Sequence, residues 1–177
     1  MPEANVDASL LIAISWQALG RLRSGEKQTR ISNCAVVIVF AAFFIEANLN
    51  HIVKKLGKKR EMTAFLNGQK YPGLRDKLAW FYNEFVARKR SHHADKPFKK
   101  RIGASLRRKY PGFSAIHRFR NNLSHGRIDL SKATPAHAEV LRRQAKGIVE
   151  SLYRTLEENG HPVRRTVWYN VAIGKRP

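Results

Sequence analysis

Acidic residues are scarce in this chain. Thirteen Asp and Glu stand against 34 Lys and Arg in 177 residues, a formal net charge of +21 and a pI near 10.9. Solubility in a small domain usually takes a net charge of magnitude ~2–8. The excess therefore predicts a polyanionic partner, nucleic acid ahead of an anionic membrane surface. Cysteine is nearly absent as well. Cys34 is alone, which excludes an internal disulfide and any Cys-x-x-Cys zinc site, and its apolar setting reads as a core thiol in a reducing compartment. Long hydrophobic runs are missing: the longest, Cys34 to Ile45, has 12 residues, short of the ~17–25 of a membrane helix. No basic segment precedes the first apolar stretch, where Glu3 and Asp7 stand, which argues against a secretory signal. The expectation is a cytoplasmic protein without a membrane partner.

Several chemistries lack their residues. Gly68 to Gly73 resembles the opening of a phosphate-binding loop, but Leu74 and Arg75 follow where Lys and Ser or Thr are required. Ser124 adjoins His125 without the strand, turn and helix of a nucleophile elbow. His92, His93 and Asp95 are the one metal-like cluster, and they lie in a run of basic residues that reads as solvated chain. No cofactor is expected.

The residues that are present describe a folded, all-α protein. Hydrophobic residues make up 43% of the chain, with 9 Phe, 5 Tyr and 3 Trp, enough for a core. Helical spacing predicts one domain over residues 1–162 and an extended C-terminal tail over 163–177. The first helix runs from about Asp7 to Leu22. The second, about Ile31 to Leu56, is apolar nearly all round in its first half and should be central. A short helix covers Glu61 to Leu66, and Leu74, Leu78, Phe81 and Phe85 mark another to about Arg88. Residues 89–111 read as a basic loop with a single turn at Ile102–Lys109. A helix from about Gly112 to His125 follows, then a long one opened by Thr134-Pro135 and stopped by Asn159-Gly160.

Chemistry concentrates in Arg120-Asn121-Asn122-Leu123-Ser124-His125. An imidazole can move a proton near neutral pH and a guanidinium can hold a phosphate that is gaining charge, which suffices to cut RNA without metal. An arginine five residues before a histidine is a weak pattern, and Arg88 and His93 form a second instance. Context separates the two. Arg88 belongs to a run of like charges, whereas Phe113, Ile116, Arg120 and Leu123 share one helix face, so Arg120 lies on the core stripe. A charge there needs a partner or a task. On the second helix Glu46 and Asn50 interrupt the stripe of Val39, Phe43 and Val53, which makes Glu46 the expected partner of Arg120. Gly126 ends the motif helix and places His125 in its last turn, where the carbonyl dipoles favour imidazolium.

Arg120 to His125 resembles the signature of the HEPN superfamily, all-helical proteins marked by an arginine, a polar residue, a few positions and a histidine. Glu46-Ala47-Asn48-Leu49-Asn50 is similar to an early apolar helix of many such chains. The resemblance implies a HEPN-like helical bundle and a metal-independent endoribonuclease. It also implies a site shared by two copies, and a place in toxin–antitoxin or antiviral systems with a neutralising partner protein. Arg120, His125 and Asn121 would then be catalytic, with Glu46 and Asn50 in support. Lys99, Lys100, Arg101, Arg107, Arg108, Arg118 and Arg127 would hold the RNA. The same charge and aromatics also suit a non-catalytic module that binds RNA or DNA.

Overall fold

The computed structural model describes residues 18, 27–66, 68, 72–87, 96–125, 127 and 133–165. The fold is all-α, with no strand among the described residues. The helices are α1 (Lys27–Leu56), α2 (Lys59–Phe65), α3 (Leu74–Phe81), α4 (Lys96–Lys109), α5 (Phe113–Ser124) and α6 (Pro135–Glu158), and a π-helical turn (Tyr82–Val86) continues α3. The expected first helix, residues 7–22, lies outside the described residues apart from buried Ala18.

The centre is α1. Cys34, Val37, Ile38, Ala41, Ala42, Phe44, Ile45, Leu49 and Ile52 are all buried, and they spread too widely around the helix to be covered from one side. Helices α3, α5 and α6 therefore pack around it, α6 most extensively. Ile31–Leu56 is also long and apolar enough, by length and composition, to cross a membrane. Isolated polar residues such as Glu46 and Asn48 break the apolar run without breaking the helix. At its C-terminus Gly57 adopts φ 67°, and the Lys58 N–H reaches back to the Val53 carbonyl at 3.2 Å, a left-handed stop that satisfies an orphan carbonyl.

Helix α6 forms for reasons visible in its residues. The Thr134 hydroxyl accepts the His137 N–H at 3.2 Å, and Pro135 occupies the first helical position. Ala138, Leu141, Ala145, Ile148, Leu152 and Leu156 line its buried face. At the other end Gly160 turns left-handed at φ 74°, and the His161 N–H bonds the Leu156 carbonyl at 2.9 Å. Tyr153 donates to Asn48 Oδ1 at 2.9 Å, while Asn48 Nδ2 donates to the Phe44 carbonyl at 2.8 Å. This fully buried polar link locks α6 to α1.

Two regions depart from the sequence expectation. The helix after Leu74 widens at Tyr82, where the Ala87 N–H bonds the Tyr82 carbonyl at 2.9 Å, five residues back rather than four. Asn83 and Phe85 turn inward there, and the Phe85 carbonyl accepts a bond from Asn159 at 3.1 Å. The basic loop expected over 89–111 is helix α4 from Lys96 onward. Phe98, Ile102 and Leu106 recur every four residues through the charges, and Leu106 and Tyr110 are buried. Only residues 163–165 of the expected tail are described. Val163 is buried, the Arg164 carbonyl meets His51 Nε2 at 3.0 Å, and Arg165 pairs with Glu157 at 3.2 Å.

Helix α5 begins after Gly112, whose φ of 83° suits glycine alone and whose missing side chain leaves room for Gln144 of α6. Gly112→Ala should therefore cost more stability in denaturant unfolding than Gly57→Ala. Gly57 carries the left-handed penalty of about 1 kcal/mol but has open space around it. Equal losses would mean that Gln144 moves aside freely.

Candidate active site

Helix α5 presents the motif in two directions. Phe113, Ile116 and Phe119 face the core, and Arg120 leaves that face at its margin, toward α1. Its guanidinium stands 5.9 Å from the centre of the Phe43 ring and 3.9 Å from Glu46 Oε2, and it donates to Asn121 Oδ1 at 3.3 Å. His125 is the C-terminal cap of α5, with its N–H on the Asn121 carbonyl at 3.1 Å and its side chain exposed.

Glu46 has a closer partner than the sequence suggested. Lys77 of α3 meets Glu46 Oε1 at 2.6 Å, and its side chain is 12% exposed against 31% for Arg120. The carboxylate thus spans two cations, with the short, better-buried bond to Lys77 and a long contact to Arg120. The expected supporting residue Asn50 is exposed on α1. The buried amide on this helix is Asn48, which belongs to the stripe of Ile45, Leu49 and Ile52 and serves α6.

A histidine outside the arginine–histidine motif lies inside this cluster. His117 is half-buried, stacks on Phe113 with ring centres 5.7 Å apart, and has Nε2 3.4 Å from Asn121 Nδ2. The atoms assign their own roles. A guanidinium can only donate, so Asn121 turns its oxygen to Arg120 and its NH2 to His117. The facing imidazole nitrogen must then accept, which requires neutral histidine with the proton on Nδ1. Burial pushes the His117 pKa down first, followed by the charges of Arg75 and Arg120, while Asp76 and Glu46 oppose them. Spacing held a clue: His117, Asn121 and His125 stand at i, i+4 and i+8.

The side chains expected to hold nucleic acid are spread over α4 and α5. Arg107, Arg108, Arg118 and Arg127 are exposed. Lys99, Lys100 and Arg101 fall in the first half of α4, where the backbone alone is described. Arg107 and Arg118 border two hollows on opposite sides of the Ser114–Arg118–Asn122 ridge. One, about 330 Å³, lies between α3, α4 and α5 and takes in His117 and Asn121. The other, about 730 Å³, is bordered by Tyr110, Gly112 and His137. The competing pair Arg88 and His93, with the His92–Asp95 cluster, lies outside the described residues.

Comparison with protein-family models, curated proteins and solved structures finds no match.

Two measurements check this geometry. The His117 ring should titrate below its ordinary value of 6.5, and Arg75→Gln should move the midpoint upward. Because the folded value is depressed, the stability His117 contributes is complete above about 6.5. It is lost as pH falls through that value toward the lower folded midpoint. An NMR midpoint at or above 6.5 would contradict the assignment. In double-mutant cycles on unfolding free energy, Glu46 and Lys77 should couple by about 1 kcal/mol, more strongly than Glu46 and Arg120. Coupling to Arg120 alone would reverse the ranking.

Proposed function

We propose that the chain is a HEPN-like, metal-independent endoribonuclease that acts in the cytoplasm as a toxin or defence effector. The observation that carries this reading is one helix, α5. It holds Arg120 between Glu46, Phe43 and Asn121 and ends at a solvent-exposed His125, and its Asn121 lines a hollow shared with Arg75 of α3 and Arg107 of α4. An anchored guanidinium is poised to bind non-bridging phosphate oxygens through its planar fork. An exposed imidazole is free to exchange protons with substrate.

The reaction is transesterification within RNA. A base takes the 2′-OH proton, the 2′-oxygen forms a bond to the adjacent phosphorus, and the bond from phosphorus to the 5′-oxygen breaks. An acid protonates the leaving oxygen, and the products are a 2′,3′-cyclic phosphate and a 5′-hydroxyl. His125 carries one of these proton transfers and Arg120 stabilises the phosphorane charge. Asn121 orients Arg120 through the 3.3 Å bond. A second copy of the chain supplies the other His125, and a neutralising protein covers the cleft when activity is unwanted.

A second reading is a non-catalytic module of the same fold that binds RNA or DNA. It is favoured by the placing of Arg120 and His125, one turned toward α1 and the other at the open end of α5. Purified protein incubated with mixed RNA in excess EDTA separates the two. The nuclease reading expects cleavage that His125→Ala abolishes and that Arg120→Lys, which keeps charge but loses the fork, reduces at least about tenfold. His93→Ala should cut as the wild type does. Intact RNA under these conditions, or loss of cleavage on changing His93 alone, overturns it. Under either reading RNA affinity should fall steeply between low and physiological salt as counterions are released, and salt-independent binding would contradict the role given to the +21 charge.

A further inference from the structure

The hollow between α3, α4 and α5 collects one arginine from each wall: Arg75 from α3, Arg107 from α4 and Arg118 from α5. No carboxylate is among its described lining residues. Its inner side is formed by Leu106, Phe113 and His117, so the hollow has an apolar and aromatic back and a cationic mouth. Its volume, about 330 Å³, lies at the small end of ligand sites, which start near ~300 Å³. That is room for a phosphate with its sugar. Gly103 of α4 contributes by having no side chain, since a Cβ there would come within 3.0 Å of the Arg75 guanidinium. The glycine lets Arg75 lie close against α4 without displacement.

We propose that this hollow is a subsite for a phosphodiester of single-stranded RNA flanking the reacting one, held by Arg75, Arg107 and Arg118 with His117 against it. The identity of the polyanion as RNA rests on the reading above. The hollow connects to the motif through Asn121, which lines it and also accepts from Arg120. His117 and His125 are eight residues apart on α5, a rise of ~12 Å, so a strand seated in the hollow can continue along the helix toward its exposed end. Neutral His117 suits this task. It adds no fourth positive charge to the empty site, and it keeps Nδ1–H as a donor while Nε2 faces Asn121.

The charged groups acting on His117 are Arg75 and Asp76 from α3, Arg120 from α5 and Glu46 from α1, with Arg107 of α4 and Arg118 of α5 bordering the same hollow. A bound phosphate adds negative charge among them and draws the His117 midpoint upward. The full chain is titrated with a 2′-O-methylated uridine trinucleotide, which cannot be cleaved, and separately with uridine 3′-monophosphate and uridine. The His117 ring is followed by NMR and assigned with His117→Gln. The trinucleotide should shift the ring signal saturably and raise its midpoint, uridine should do neither, and the trinucleotide should bind at least about tenfold tighter than the monophosphate. Arg118→Gln, at an exposed position that leaves the fold intact, and Arg75→Gln should each weaken binding several-fold, while Lys59→Gln on α2 should not. An unmoved His117 signal, affinity unchanged in both arginine variants, or equal affinity for trinucleotide and monophosphate overturns the subsite. The wild type's EDTA-resistant cleavage is read separately. Binding here without cleavage would keep the subsite and remove the nuclease reading, and cleavage with an unmoved His117 would do the reverse.

Discussion

A helix that is apolar on nearly every side can be stable in water only if other helices enclose it, and α1 imposes that condition on the whole fold. Burial of Ile38, Ile45, Leu49 and Ile52 is non-directional and would tolerate many arrangements. Two polar residues remove the freedom. Asn48 needs a hydrogen-bond partner inside the core, and Tyr153 of α6 supplies it. Glu46 needs cations at the edge of the core, and Lys77 of α3 and Arg120 of α5 supply them. A buried amide or carboxylate left without partners is costly, so these contacts fix the register of three surrounding helices. The catalytic candidate Arg120 is therefore held by the same device that aligns the bundle.

Much of the fold was legible because its signals are local. Thr134-Pro135 and Asn159-Gly160 bracket α6 by backbone chemistry alone, and the Phe113, Ile116, Leu123 spacing with a glycine beyond places α5. Helix α4 was hidden because positive charge dominates its composition, although Phe98, Ile102 and Leu106 keep the helical period. The π-helical turn has no equivalent cue. Its cause is tertiary, the inward turn of Asn83 and Phe85 and the bond from Asn159 to the Phe85 carbonyl.

The candidate site was legible only in part. Arg120 could be singled out because a cation on a core stripe is a local contradiction. Its relation to Glu46 was visible as a need for pairing, but Lys77, the nearer partner, depends on how α3 is rotated against α1, which no spacing within either helix reveals. His117 was missed for a related reason: the half-buried, arginine-flanked setting that makes it distinctive is assembled from three helices.

Charge ties these levels together. Two carboxylates are each shared by two cations, Glu46 by Lys77 and Arg120 and Glu139 by Arg142 and Arg143, whereas Lys58 takes both Glu61 and Glu84. Hydrogen bonding from Arg142, then the charges of both arginines, hold the Glu139 carboxyl below its usual range. Such pairing neutralises only part of the positive charge, and Arg75, Arg107 and Arg118 border one hollow. On the proposed reading, a polyanion seated in that hollow lowers the repulsion among them. Burial first, and then the charges of Arg75 and Arg120, disfavour a proton on His117 beside that hollow. His125 stands at the exposed end of the same helix. One helix thus carries two imidazoles in contrasting environments, the inner kept uncharged among arginines and the outer open to solvent. On the proposed reading that difference divides the work, with the inner ring helping to hold the strand and the outer one moving the proton.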